Sequence, residues 1–162
     1  MKTKIFLASL TVFILSLVFT SNTFAVGTRI SQARRSVCET RQGAIENRMK
    51  ALVKLVATME EKFDSISARV QKYYTDKVIP SGKTVANYDA LITDIQTKKT
   101  ATDTALAEVK TTSENFNCNA DNPKDLYLTF RTGMQKNKTA LHAYRLSIKN
   151  LIVAVRGVSP TE

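Results

Sequence analysis

Three stretches of the chain repeat apolar side chains at alternating steps of three and four residues, which places them along one side of an α-helix. The first stripe is strict over four heptads, and it comprises Ile45, Met49, Leu52, Val56, Met59, Phe63, Ile66, Val70 and Tyr73. Such a stripe presents a narrow seam of the coiled-coil type. It predicts a first helix over about residues 28–78, which the turn Pro80-Ser81-Gly82 ends.

Two further stripes predict a second helix over about residues 84–116 and a third over 123–156. The second stripe is weaker at its centre, and it comprises Tyr88, Leu91, Ile92, Ile95, Thr102, Leu106, Val109 and Phe116. The third is again strict, and it comprises Tyr127, Phe130, Met134, Asn137, Leu141, Tyr144, Ile148, Leu151 and Val155. Asn122 is the expected N-cap of the third helix, Pro123 suits its first position, and Gly157 is the expected stop. The polar Asn137 is expected to set register at some cost in stability.

Short links determine the predicted topology. Residues 78–83 and 117–121 leave room only for turns, so neighbouring helices are expected to run antiparallel. The sequence therefore predicts an all-α fold: an antiparallel up-down-up bundle of three long, coiled-coil-like helices over residues 26–157, with a tail at 158–162.

The N-terminus has the pattern of a signal peptide. Lys2 and Lys4 precede a mostly apolar run at 5–19, and Thr23 and Ala25 supply the small side chains that signal peptidase requires. We expect a signal peptide at 1–25, cleavage after Ala25 and a secreted or extracytoplasmic location. A membrane anchor at 5–19 is the alternative, although that run is shorter than the roughly 20 residues of a spanning helix.

Cys38 and Cys118 are the two cysteines of the chain, and a pair in an exported protein is first interpreted as a disulfide. Antiparallel helices joined near residue 80 would bring both cysteines to one end of the bundle. A bridge closing a loop of this size stabilises a fold by roughly 4 kcal/mol in the chain-entropy model.

Motifs of catalysis or cofactor binding are weak here. Gly82-Lys83-Thr84 resembles the end of a phosphate-binding loop, but Lys77 stands where that motif needs its first glycine. His142 flanks the third seam, no Cys-x-x-Cys spacing activates either thiol, and the glycosylation triplet at Asn137 falls inside a helix. The carboxylates are expected mostly on solvated faces (Glu60, Glu61, Asp64, Asp94, Asp103 and Glu108). We therefore expect no enzyme, no cofactor, no metal and no small-molecule substrate.

Charge is the more informative feature. The net charge is +10, and residues 122–157 carry seven Lys or Arg against one Asp. These cations and four arginines of the first helix could contact an anionic surface: Arg29, Arg34, Arg35, Arg41, Lys124, Arg131, Lys136, Lys138, Arg145, Lys149 and Arg156. A second candidate contact is the bundle end near residue 80, with Tyr73, Tyr74 and Tyr88.

Several segments resemble a family of small exported helical proteins of the candidate-phyla (patescibacterial) bacteria. They are Cys38-Glu39-x-Arg41, Phe63-Asp64-x-Ile66-x-x-Arg69-Val70-x-x-Tyr73-Tyr74, Tyr88-Asp89-x-Leu91, Phe116-x-Cys118 with Asn122-Pro123-Lys124, and Ile148-Lys149-Asn150-Leu151-Ile152-Val153-Ala154-Val155. The resemblance implies export, helices and paired cysteines, and it implies no activity.

We expect a non-enzymatic structural or interaction protein of the cell envelope, which binds an unknown protein or a second copy of itself. The alternatives are a basic module that binds anionic polymers or a membrane surface, for which affinity would fall with salt, and a periplasmic holdase chaperone.

Overall fold

The computed structural model describes residues 22–159, and for residues 22–31 it describes the backbone alone. The described chain is helical and contains no strand. It consists of α1 (Asn22–Tyr73), a π-helical turn (Tyr74–Val78), a 3-10 turn (Ile79–Ser81), α2 (Tyr88–Glu114) and α3 (Pro123–Val158). The predicted all-α class and the predicted helical bundle of three helices are confirmed. The signal peptide of residues 1–25 lies outside the described residues, except that residues 22–25 belong to α1.

The contacts divide the chain into residues 1–42 and 43–162. The described part of the first unit is the N-terminal part of α1. The second contains the rest of α1 and both other helices, and its core is built around Tyr74, Val78, Val85, Ile95, Tyr144, Ile148, Leu151 and Val155.

The buried line of α1 differs from the predicted seam. Met59 and Tyr73 were expected inside, but they are 38% and 42% exposed. The buried positions of α1 are Met49, Val56, Glu60 and Ser67, and the line continues into the π-helical turn with Tyr74 and Val78. Members of this line repeat every eleven residues, which is the period of a nearly straight helix, whereas a strict heptad drifts by about 20° per repeat. The predicted placement of Met59 and Tyr73 is therefore wrong. Tyr127 of α3 is likewise 46% exposed instead of buried.

The connection after α1 turns two side chains inward. Tyr74 and Val78 of the π-helical turn are buried, and the Tyr74 ring stacks on Tyr88 at 3.9 Å. The backbone N–H of Val85 donates a hydrogen bond to Tyr74 Oη at 3.2 Å. Gly82 follows with φ of 76°, a left-handed conformation that glycine adopts without a Cβ clash. These contacts delay the start of α2 to Tyr88, four residues beyond the predicted boundary.

The ends of α3 use other contacts than those expected. The side chain of Asn122 makes no cap to the backbone, and its Nδ2 instead donates to Asp125 Oδ2 at 2.5 Å. Gly157 stays inside the helix, which ends at Val158, and Ser159 Oγ donates to Val155 O at 2.9 Å. Asn122 is thus the N-cap residue and Pro123 the first helical residue, as predicted, although the Asn122 side chain does not bond to the backbone. The predicted glycine stop is wrong, because the helix continues through Gly157 to Val158.

Candidate functional site

Five polar side chains from all three helices meet in the second unit, and we call them the polar cluster: Glu60, Asp64, Lys99, Asp103 and Tyr144. Lys99 Nζ lies 2.7 Å from Asp64 Oδ2, 3.5 Å from Glu60 Oε1 and 3.7 Å from Asp103 Oδ1. Tyr144 Oη donates a hydrogen bond to Asp64 Oδ1 at 2.5 Å. One lysine thus links carboxylates of α1 and α2, and one tyrosine attaches α3 to them.

Glu60 is the buried acid of the polar cluster. The residue is 5% exposed, and its Oε1 is buried without a hydrogen-bond partner among the described residues. The pKa of the Glu60 carboxyl is raised to about 7, chiefly by burial; a hydrogen bond and like charge from Asp103 act in the same direction, and Lys99 opposes them. The expectation that the carboxylates lie on solvated faces is wrong for Glu60. Its neighbours on α2 provide an ionic environment inside the bundle.

Tyr144 and Lys99 are held in their usual charge states. Burial and the hydrogen bond to Asp64 raise the pKa of the Tyr144 hydroxyl. The hydrogen bond to Asp64 raises the pKa of the Lys99 ammonium, although burial opposes it. At neutral pH the polar cluster therefore contains the neutral phenol of Tyr144 and the charged ammonium of Lys99. The Lys99 ammonium lies within 4 Å of three carboxyl groups.

A carboxyl group with a pKa near 7 has the property of a general acid or base. Catalysis also requires space for a substrate beside it, and Glu60 is nearly inaccessible. The two grooves described below are lined by other residues. Within residues 22–159 no group of three or more metal-ligating side chains is arranged to hold a metal ion, and Lys99 already occupies the position between the carboxylates. The polar cluster therefore acts as an internal connection between helices.

The outer face of α3 carries a basic stripe, which we call the α3 ridge: Lys124, Arg131, Lys138, Arg145, Lys149 and Arg156. Steps of seven and four residues place these six side chains within an arc of about 60° at 100° per residue. All six are exposed, and none forms an ion pair with another described residue. The only acid of α3 is Asp125 in the first turn. The α3 ridge is therefore an uncompensated line of positive charge about 48 Å long at 1.5 Å per residue.

Apolar side chains are exposed beside the α3 ridge. Leu128, Leu146 and Val153 are 41%, 48% and 60% exposed, and the helical period places them within about 40° of Lys124. His142 is exposed between them. The outer face of α3 thus combines cations with separate apolar side chains.

The remaining predicted cations differ from the α3 ridge. Lys136 points to the side of α3 and forms an ion pair with Glu108 of α2 at 2.8 Å. Arg34, Arg35 and Arg41 are exposed in the first unit. Arg29 lies in α1, but its side chain is outside the described part of the chain. Six of the eleven predicted cations thus lie together on one face of α3.

The three tyrosines predicted at one end of the bundle have different environments. Tyr73 is 42% exposed and Tyr88 is half-buried, but Tyr74 is buried in the stack. Tyr74 therefore belongs to the core, and with Tyr88 it lines a surface depression of about 660 Å³. A contact surface at this end stays a prediction.

Two grooves flank α3 in the second unit. Groove 1, between α2 and α3, has a volume of about 430 Å³ and includes the ion pair of Glu108 and Lys136, Asp125, Gly133 and Val109. Groove 2, between α1 and α3, has a volume of about 290 Å³. Its lining is apolar apart from two arginines and a tyrosine, and it comprises Ile66, Arg69, Val70, Tyr73, Ile152, Val155 and Arg156.

The two cysteines are disulfide-bonded, as predicted for Cys38 and Cys118. Asn137 is fully buried, and both its Oδ1 and its Nδ2 are without a hydrogen-bond partner among the described residues. The predicted position of Asn137 inside the bundle is therefore confirmed. Its cost in stability, roughly 1–3 kcal/mol for an unsatisfied buried amide, stays a prediction.

Comparison with protein families, with curated proteins and with solved structures found no match. The family resemblance of the sequence stays a prediction. The function must therefore be inferred from the chemistry of these surfaces.

Sequence reasoning found the cations of α3 and missed the polar cluster. The seven-residue steps of the α3 ridge are visible in the sequence, because a helix converts them directly into one face. Glu60 lies next to the apolar Met59 in the predicted seam, and only the eleven-residue period would have indicated its burial. The partner Lys99 comes from another helix, for which the sequence gives no signal.

Proposed function

We propose that this chain is an exported, non-enzymatic helical protein that binds the surface of an anionic membrane through the α3 ridge. The proposal takes up the alternative that the sequence offered, a basic module for anionic surfaces, in place of binding to a protein or to a second copy. The observation that carries it is the acid-free line of six exposed cations on one face of α3.

A flat surface can contact all six cations together because they lie within one narrow arc. Each Lys or Arg near an anionic bilayer contributes about 1 kcal/mol of attraction, so six supply enough for reversible binding. A cation that is already paired contributes less, and the six have no acidic partner among the described residues.

The exposed apolar side chains favour a lipid surface over a linear polymer. Leu128, Leu146 and Val153 lie beside the cations, and such side chains can enter the boundary between headgroups and acyl chains. Single-stranded nucleic acids are bound by aromatic platforms between cations, and Tyr127 is the exposed aromatic side chain of α3. Between residues 22 and 159, no helix is both long enough and apolar enough to cross a bilayer.

Vesicle binding tests this function. The oxidised protein is mixed with phosphatidylcholine vesicles that contain or lack phosphatidylglycerol, and bound protein is measured by flotation at low and high salt. We expect binding to the anionic vesicles, which salt weakens by screening. The triple variant Lys138→Gln/Arg145→Gln/Lys149→Gln should bind roughly a hundredfold more weakly, at about 1 kcal/mol for each cation.

A matched control separates the α3 ridge from net charge. Lys54, Lys62 and Lys110 are exposed on α1 and α2, and their replacement by Gln removes the same charge. Binding should change little in this control. An equal loss in both triple variants, or equal binding to neutral vesicles, would contradict the proposal. Binding to an anionic polysaccharide or nucleic acid but to no vesicle would favour a polymer as the partner.

The proposal includes an antiparallel up-down-up arrangement. Two pairs of contacts support it: Glu60 and Asp64 of α1 approach Asp103 and Lys99 of α2 in reverse order. It also includes the signal peptide of residues 1–25, cleavage after Ala25 and a location outside the cytosol, which the disulfide supports. Mass spectrometry of the exported protein should find Val26 at its N-terminus, and a retained residue 1–25 segment would instead favour the membrane anchor.

A further inference from the structure

Groove 2 lies where the α3 ridge ends. Arg156 belongs to both, and Arg69 of α1 is the second cation of the groove. Both arginines are exposed, and neither forms an ion pair with another described residue. Guanidinium groups bind phosphate oxygens in a bidentate manner, so this end of the α3 ridge offers two free phosphate-binding groups.

Apolar side chains form the rest of groove 2. Ile66, Val70, Ile152 and Val155 pack against the core and leave a depression between α1 and α3. Tyr73 also lines the groove and is 42% exposed. Tyrosine is favoured where an apolar surface meets water because its ring is apolar and its hydroxyl is polar.

We propose that groove 2 binds one acyl chain of an anionic phospholipid, with the phosphate of that lipid between Arg69 and Arg156. This inference rests on the proposed function, because the α3 ridge would bring the protein to the membrane. The volume of about 290 Å³ equals that of roughly ten water molecules in the liquid. A methylene group has a similar size, so the groove fits a chain segment of about ten carbons.

Groove 1 is the natural comparison. It is larger, but it contains the carboxylates of Glu108 and Asp125, and its cation Lys136 is already paired with Glu108. A lipid phosphate would meet negative charge there. The charge of its lining therefore assigns the anionic amphiphile to groove 2 and not to the larger groove.

A soluble amphiphile tests groove 2 apart from the α3 ridge. Decyl phosphate below its micelle concentration is titrated into the oxidised protein by calorimetry, with inorganic phosphate and decanol as separate probes. We expect saturable binding of one decyl phosphate per chain and much weaker binding of inorganic phosphate or of decanol. Arg69→Gln should weaken decyl phosphate binding about tenfold, as expected for a lost hydrogen bond between charged groups. Arg48→Gln should leave it unchanged, because Arg48 is exposed on α1 outside groove 2 and outside the α3 ridge.

Filling the groove provides a second test. Ile152→Trp should block decyl phosphate while vesicle attachment through the α3 ridge persists, and circular dichroism checks that this half-buried position still folds. Should it unfold, the two variants at exposed positions of α1, Arg69→Gln and Arg48→Gln, decide the question alone. An equal effect of those two variants, or no saturable uptake by the unaltered protein, would overturn groove 2 as a lipid site. Binding of decyl phosphate without any vesicle binding would instead contradict the proposed membrane contact of the α3 ridge.

Discussion

Glu60 makes the stability of this protein depend on pH near neutrality. Its carboxyl group is buried beside Asp103 and Lys99, and Asp64 and Tyr144 complete its surroundings. The folded protein keeps the proton up to a pH of about 7, whereas a solvated glutamate loses it near 4.3. The folded state therefore binds more protons than the unfolded chain in this interval, and its stability falls as pH rises through it.

Replacement of Glu60 by Gln should remove this dependence. The free energy of unfolding of the unaltered protein should fall by up to about 3 kcal/mol between pH 4.5 and 7, relative to Glu60→Gln. The two proteins should be similar in stability at the acid end, and the variant should be more stable at pH 8. Urea denaturation at several pH values measures the difference.

Glu61→Gln is the matched control, because Glu61 is the exposed neighbour of Glu60. It should follow the pH profile of the unaltered protein. A profile of Glu60→Gln that is parallel to that of the unaltered protein would show that Glu60 is ionised in the folded state.

At the scale of the helices, α2 and α3 approach closely at Gly133. A Cβ atom added there would lie 2.5 Å from Cγ1 of the buried Val109. A β-branched side chain has few other χ1 positions in a helix, so Val109 cannot easily move away. The missing side chain at Gly133 thus sets the distance between the two helices.

Gly133→Ala should destabilise the protein by about 1–2 kcal/mol, because the overpacking penalty exceeds the gain in helix propensity. Gly43→Ala is its control: Gly43 is also inside a helix, and an added Cβ meets nothing within 4 Å. That control should stabilise the protein by about 0.5–1 kcal/mol. Thermal unfolding followed by circular dichroism compares them, and two changes of the same sign would contradict the close approach.

How many buried positions of a helix the sequence predicts correctly depends on what the side chains of that helix contact. The apolar side chains of the predicted α3 stripe from Phe130 onward are buried, apart from the half-buried Met134, since the three-and-four pattern and the core neighbours agree. In α1 the same pattern misplaced Met59, because a straight helix follows a longer period than the heptad. The π-helical turn had no local signal, since the buried contacts of Tyr74 with Tyr88 and Val85 produce it.

For the whole molecule, the disulfide is the constraint with the longest reach along the chain. Cys38 and Cys118 enclose about 80 residues, and closing such a loop in the unfolded chain should stabilise the fold by roughly 4 kcal/mol. Reduction with dithiothreitol should therefore lower the melting temperature by about 10 °C or more. Differential scanning calorimetry with and without reductant measures this shift.

The double variant Cys38→Ser/Cys118→Ser controls for direct effects of the reductant. It should melt near the temperature of the reduced protein and should not respond to dithiothreitol. A melting temperature equal to that of the oxidised protein would contradict a stabilising disulfide.

The candidate sites were predictable to different degrees at this scale. The cations of α3 follow from the sequence because one helix determines their common face. Groove 2 could not be predicted from the sequence, because Arg69 and Arg156 are far apart in the chain and line one groove only through the packing of α1 on α3. The same is true of Lys99 and Glu60, whose approach depends on the register of two helices.

The single disulfide also determines how this protein must mature. Two cysteines allow one intramolecular pairing, so no wrong bridge within the chain competes with the correct one. Maturation then needs an oxidant that accepts two electrons but no isomerase that reshuffles bonds. Cys38 is synthesised about 80 residues before Cys118, so its thiol must wait for its partner. During that interval the thiolate of Cys38 can attack the disulfide of an oxidised dithiol oxidase and form a mixed disulfide with it. The thiolate of Cys118 then attacks Cys38, forms the intramolecular bridge and releases the reduced oxidase.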